Sequence, residues 1–221
     1  MFDVSAPPSA SLIANARLLL FALHTHTHPY TPIHTQASPA LQHALQQIYQ
    51  VGQLVLLHPV NPSPQDGPIC VVNTHLFFHS RAPHIRTIHM AILVAEAAAF
   101  VDRMAVQGGP VPAVVLCGDL NSSYTDAQLP GCLELLRSGR LSEHYPDWAE
   151  GARYVQIPKG APQPPADEEP RIDRPVGANL QLPLCLRSAD RFSLPFTNVV
   201  QSYEVCACML LTGVGLCNVG R

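Results

Sequence analysis

Two short polar clusters carry the residue types that hydrolytic chemistry needs. Asn73-Thr74-His75 follows the apolar run Ile69-Cys-Val-Val72, and Gly118-Asp119-Leu120-Asn121 follows Val114-Val-Leu-Cys117. A carboxylate such as Asp119 could orient and deprotonate a water or help to hold a divalent metal. An amide such as Asn121 could hold a phosphate or that water, and an imidazole such as His75 could donate to a phosphoryl oxygen and stabilise developing charge. Together they suit hydrolysis of a phosphodiester. Oxygen ligands of this kind suit magnesium, which keeps several waters and takes one or two carboxylates from a protein; Asp119 and Asn121 are the candidate ligands. The same residues also suit a turn former or cap behind a strand, and a hydrogen-bonded strand end. Spacing alone leaves both readings open.

The elements that would position these clusters can be read from pattern. Gln53-Leu-Val-Leu-Leu-His58 and Ile69-Cys-Val-Val-Asn-Thr-His75 are strand-like runs on either side of the turn formers Asn61-Pro-Ser-Pro-Gln-Asp-Gly67, which predicts a hairpin. Ile85, Ile88 and Ile92, then Ala99, Phe100 and Met104, have helical spacing from residue 85 to about 106, and Gly108-Gly109-Pro110 ends the helix. Val111 to Cys117 reads as a buried strand delivering Asp119 and Asn121 at its carboxyl end. If the two strands are neighbours in one sheet, His75 and Asp119 emerge at one edge where a ligand meets both. A first short helix is expected after Ser38-Pro39, through Leu41, Leu45 and Ile48, and another over Leu129 to Arg137, with Gly139 free to take the left-handed cap.

Residues 1–37 read as a low-complexity leader without order, 38–200 as one domain with an irregular loop over about 150–184, and 201–221 as a tail without match. The 221 residues suffice for a single domain. Thirteen Lys plus Arg against sixteen Asp plus Glu argue against a polyanion-binding surface over the whole chain, so any nucleic-acid contact is expected to be local. Seven cysteines without a C-x-x-C pair indicate neither a disulfide framework nor a zinc ribbon. Leu12 to Leu23 lacks the basic flank and cleavage site of a signal peptide, and no apolar run reaches membrane length. The expectation is an intracellular protein of cytoplasm or mitochondrion, without a membrane partner. His24-x-His26-x-His28 reads as low-complexity sequence rather than a metal site, and His79, His84 and His89 as surface or loop residues.

Taken in order, Asn73-Thr-His-Leu76, His79-x-Arg81, Ile85-Arg86, a long helix and Gly118-Asp119-Leu-Asn121-Ser122 resemble the endonuclease/exonuclease/phosphatase superfamily. The likeness is greatest to the branch of 2′,5′-phosphodiesterase 12 and the carbon catabolite repressor type deadenylases. It extends through Leu135–Leu141 and Asp147-Trp148 to Phe196-Thr-Asn-Val199, about residues 41–200. The resemblance implies a four-layer α/β sandwich with two central sheets, and magnesium-dependent cleavage of phosphodiester bonds. It implies that His75 contacts and stabilises the scissile phosphate, that Asp119 activates the attacking water and touches the metal, and that Asn121 orients the phosphate or a metal-held water. Asn198 would support the site. Arg81 and Arg86 could reach a substrate phosphate from the loop and helix start, or could instead brace the fold through carboxylates.

The family pattern also has an earlier half, with an Asn near the first strand and a Gln-Glu pair whose Glu binds the metal, and a late Ser-Asp-His. Neither is found before residue 41 or after residue 201. The expected fold is therefore a partial sandwich missing first-half strands and the usual C-terminal strands. The expected function is a magnesium-dependent phosphodiesterase or 3′ exoribonuclease acting on oligoadenylate or poly(A) RNA, not DNA, with activity weak or lost. The alternative is a non-catalytic fragment that binds adenylate-rich RNA or a partner of the full-length enzyme.

Overall fold

The two polar clusters end adjacent strands of one sheet, and alternation of side chains explains which face of that sheet is covered. In the computed structural model the described residues are 17–22, 41, 44, 45, 47, 48, 50–60, 66–122, 129–154, 157, 177–184, 186–188 and 209–210. Strand β1 (Arg17–Ala22) pairs antiparallel with β2 (Val51–Leu57), and β2 pairs antiparallel with β3 (Ile69–His75), Leu54 lying opposite Val72. Leu54, Leu56, Cys70, Val72 and Thr74 point into the core, while Val51, Leu57, Ile69, Asn73 and His75 are exposed. Period two with one covered face is the pattern of a sheet with helices on one side.

From β3 the chain crosses over through helix α1 (Pro83–Val106) to β4 (Ala113–Asp119), which lies parallel to β3. Parallel neighbours need such a crossover, and a helix is its usual form. Pro83 opens α1 where its missing N–H costs nothing, and Gly108, at φ 73°, follows its last residues. Helix α2 (Gly131–Ser138) ends on Gly139 in the left-handed conformation, whose N–H donates to the Leu135 carbonyl at 2.8 Å. Helix α3 (Pro146–Gly151) follows β5 (Arg140–Leu141), which pairs with β6 (Leu180–Gln181) in a small second sheet. Strands β7 (Arg187–Ser188) and β8 (Met209–Leu210) complete the main sheet, ordered β1-β2-β3-β4-β8-β7. Leu41, Ala44 and Leu45 are helical and buried, on the spacing expected for the first helix.

Three expectations change. Residues 17–22, inside a leader read as unordered, form a strand whose backbone pairs with the otherwise open edge of β2. The apolar content of α1 is enough to span a bilayer by length and composition, yet 78% of its most apolar stretch is buried within the protein, as in a core helix. His84 and His89, read as surface residues, are 6% and 0% exposed. The reason is that α2 and α3 pack on α1 as well as the sheet: His84 lies against Gly151 of α3 and Thr87 against Gly131 of α2, so the first turns of α1 are buried beyond the Ile85, Ile88 and Ile92 stripe. Periodicity reveals a helix's first buried face but not a second.

Burying a histidine disfavours its charged form. Burial first and the Arg86 guanidinium second push His84 down to about 3, with its Nδ1 lacking a hydrogen-bond partner. His79 is lowered in the same direction by burial, Arg81 and Arg86. The unfolded chain therefore takes up protons below the ordinary histidine value of 6.5 while folded His84 does not. This contribution to stability is complete above pH 6.5 and is lost as pH falls from there towards 3. Asp147 acts in the opposite sense: burial raises its carboxyl above 3.8, so its cost grows as pH rises through that window. The urea midpoint is expected to fall between pH 6.5 and 5, by up to about 1.4 kcal/mol of stability per pH unit. In His84→Leu this dependence should be visibly shallower, and equal slopes in the two proteins would contradict a neutral buried His84.

Candidate active site

Register decides which side chains meet. β3 and β4 run parallel with Asn73 opposite Cys117, Thr74 opposite Gly118 and His75 opposite Asp119, so both polar clusters leave the sheet at the same carboxyl edge. The pairing continues one step further, the Leu76 N–H donating to the Asp119 carbonyl at 2.8 Å. Gly118 is required at the closest approach. Its φ is 134°, and a side chain there would overlap the Thr74 backbone. Thr74 is itself buried and its hydroxyl donates to the Val51 carbonyl at 3.1 Å, which ties the end of β3 to β2.

His75 Nε2 lies 3.6 Å from Asp119 Oδ2, the imidazole 69% exposed and the carboxylate 17%. That separation is too long for a hydrogen bond. Two atoms so placed can each lie about 2.8 Å from a third, so one oxygen of a water or a phosphoryl group can contact both. The second carboxylate oxygen is already committed, since Asp119 Oδ1 accepts the Asn121 N–H at 2.9 Å in an Asx turn. The turn-former and chemical readings of Asp119 are thus compatible: one oxygen makes the turn and the other faces His75.

Asn121 sits at φ 47°, where asparagine is among the few side chains tolerated, and its Nδ2 donates to the Leu76 carbonyl at 2.7 Å. This bond crosses from the β4 turn back to the residue after His75. Next to it, Ser122 is buried, with its hydroxyl 3.0 Å from the Leu120 carbonyl and 2.9 Å from the Cys132 thiol. Burial pushes that thiol up to about 11, so it stays protonated.

The structure brings His75, Asp119 and Asn121 together and separates the two arginines. Arg81 lies on the exposed loop, its N–H donating to His79 Nδ1 at 3.2 Å. Arg86 is 6% exposed and turned inward, where Nη1 donates to the carbonyls of Phe77 at 3.2 Å and His79 at 2.7 Å. Asn198 lies outside the described residues. Of the groups that sequence reasoning gave no role, Gly118 holds the register and Asp147 takes the Gly131 N–H at 2.6 Å beside Arg86. The Gly-Asp pair signalled the first; the burial of Asp147 leaves no sequence signal.

A divalent cation implied by the resemblance would have one carboxylate oxygen of Asp119 and the amide oxygen of Asn121 near it. These are hard oxygen donors of the right chemistry, but no group of three or more His, Cys, Asp or Glu able to hold a metal occurs among the described residues. The described residues do not make a complete metal site.

No family model matches the chain. Protein angel homolog 1 of Homo sapiens is 36% identical over 104 residues, 44% of this chain and 14% of that protein. The 2′,5′-phosphodiesterase 12 of Homo sapiens is 32% identical over 111 residues, 50% of this chain and 17% of that protein. The solved structure of ANGEL2, a 2′,3′-cyclic phosphatase, in complex with adenosine-2′,3′-vanadate, superposes with a TM-score of 0.52 at 21% identity, over 88% of this chain and 54% of that one. At that identity the likeness is one of fold. The chain spans less than a fifth of these curated relatives and about half of the ANGEL2 chain.

The Asn121 geometry makes a stability prediction. Asn121→Ala loses the bond to Leu76 and puts alanine in the left-handed region, at an expected cost of about 2 kcal/mol or more. Asn121→Gly also loses the bond but relaxes the backbone, and should be about 1 kcal/mol more stable than the alanine variant. Equal urea midpoints for the two variants would mean that residue 121 is not left-handed in solution.

Proposed function

From its membership of the endonuclease/exonuclease/phosphatase superfamily, we propose that this chain derives from, and uses its strand-end site as, a hydrolase of phosphodiester bonds in RNA. Oligoadenylate or poly(A) is the proposed substrate and magnesium the proposed cofactor. The single observation that carries the reading is the facing of His75 and Asp119 across 3.6 Å at the carboxyl ends of two parallel strands. Two of the relatives, 2′,5′-phosphodiesterase 12 and the 2′,3′-cyclic phosphatase ANGEL2, are named for phosphoryl groups at ribose hydroxyls, which supports an RNA substrate over DNA. The proposed compartment is intracellular, cytoplasm or mitochondrion.

In this reading Asp119 Oδ2 orients a water and accepts its proton as the water attacks phosphorus, the bridging P–O bond breaks, and the departing ribose oxygen takes a proton from solvent. His75, exposed at the strand end, donates to a phosphoryl oxygen on which charge accumulates. Asn121 fixes Asp119 through its N–H and fixes the turn through its amide, so the carboxylate is held before substrate arrives. Magnesium, when bound, would add charge stabilisation on the phosphate.

A second reading is binding without turnover, to adenylate-rich RNA or to a partner of the full-length enzyme. It is favoured by the donor set at the site, where Asp119 is not joined by two further His, Cys, Asp or Glu among the described residues. Both readings are tested by AMP release from 2′,5′- and 3′,5′-linked oligoadenylate with magnesium and with chelator. Catalysis predicts slow, magnesium-dependent release that falls about 100-fold or more in Asp119→Ala and in His75→Ala. No release from a folded sample that still retains oligoadenylate would favour the binding reading.

A further inference from the structure

The loop that follows His75 ends in an unusual presentation of an aromatic ring. Phe78 is 72% exposed and is the one aromatic among the exposed large hydrophobic residues described. A single exposed apolar residue needs no explanation by itself. What sets Phe78 apart is how firmly its backbone is held. The carbonyls on either side of it, those of Phe77 and His79, both accept from one buried nitrogen, Arg86 Nη1, at 3.2 and 2.7 Å. The start of the loop is fixed as well, since the Leu76 N–H and carbonyl are bonded to Asp119 and Asn121. The two strand-end residues of the site and the Phe78 loop are therefore one hydrogen-bonded unit.

Beneath Phe78 the aromatic packing is layered. The Phe77 ring, packed against the core, lies 5.3 Å from Phe78, tilted by 59°, and 6.1 Å from His79, nearly parallel at 14°. His79 meets Tyr154 edge-on at 4.9 Å. Phe77 and His79 are thus used internally, and the ring of Phe78 is left facing outward. An aromatic face on a rigid backbone stacks a flat partner with little loss of conformational freedom.

We propose that Phe78 is a nucleobase-stacking residue, seating the base of the nucleotide whose phosphate lies between His75 and Asp119. This rests on the phosphodiesterase reading for the position of the phosphate. The occupant follows from reach and chemistry. Phe78 is three residue steps from His75, at most about 11 Å between Cα atoms, which is the scale of a nucleotide. Arg81, exposed on the same loop, supplies a guanidinium suited to a neighbouring phosphate of the strand. Every base has a π face, so this contact confers a preference for nucleotides over bare sugar phosphates without choosing among bases.

The test uses the full chain and two ligands that cannot be hydrolysed further at a diester, AMP and ribose 5-phosphate, with affinities measured by calorimetry or NMR titration. Stacking predicts that AMP binds about 5- to 150-fold more tightly than ribose 5-phosphate. Phe78→Ala should reduce that ratio to about one, and Phe78→Trp should keep it and show tryptophan quenching by AMP, with circular dichroism unchanged in both variants. A ratio near one in the unaltered protein, including no binding of either ligand at millimolar concentration, overturns the proposal. So does a ratio that survives Phe78→Ala. AMP release from oligoadenylate reports separately on the phosphodiesterase reading: a Phe78-dependent AMP preference without release leaves Phe78 as a base-binding residue and removes the hydrolase.

Discussion

The parallel register of β3 and β4 is the constraint on which the rest of the site depends. A slip of one residue in either strand would turn its side chains to the other face, burying either His75 or Asp119 in the core. The register is fixed from several sides: Gly118 admits the Thr74 backbone, Thr74 is bonded to Val51, and Leu76 is bonded to both Asp119 and Asn121. None of these groups is placed to react, yet each sets the 3.6 Å gap between imidazole and carboxylate. The crossover helix α1 makes the parallel pairing possible, and the burial of 78% of its most apolar stretch explains why so long an apolar helix belongs to the core.

The polar interior behind the site has a related role. Arg86, Asp147 and His84 bring charged or ionisable groups into a region shielded from water, and each pays in a displaced titration: Arg86 and His84 lowered, Asp147 raised, burial being the first cause in all three. Arg86 uses that position to hold the loop carbonyls of Phe77 and His79, while Asp147 holds the first turn of α2 through the Gly131 N–H. Gly151 has no room for a side chain because His84 packs against it. The loop carrying Phe78 and the turn carrying Asp119 are therefore braced from inside the protein.

Local pattern carried much of this in the sequence. The hairpin of β2 and β3, the long helix from Pro83, the strand running into Asp119 and the left-handed Gly139 each have a local chemical cause, and each stands where that cause puts it. The pairing of His75 with Asp119 was legible only as a condition, that the two strands be neighbours, because nothing local states a parallel register. Burial was the illegible part. Arg86 turns inward, and His84 and His89 are enclosed, because α2 and α3 cover a second face of α1 that no single period marks. Likewise β1 depends on an edge supplied by β2, some thirty residues later in the chain. The motifs of the resemblance could be matched without the structure; the distances between them could not.

The claim most open to contradiction is that His75 and Asp119 act on one phosphate as a unit. A double-mutant cycle on AMP release from oligoadenylate, with His75→Ala, Asp119→Ala and both together, measures this directly. If the two groups act on the same reacting centre, the double variant should be little slower than the slower single variant, as for residues that work together. Losses that multiply, each substitution costing the same factor whether or not the other is present, would mean that the two side chains act independently and that their closeness at the strand ends does not make a common site.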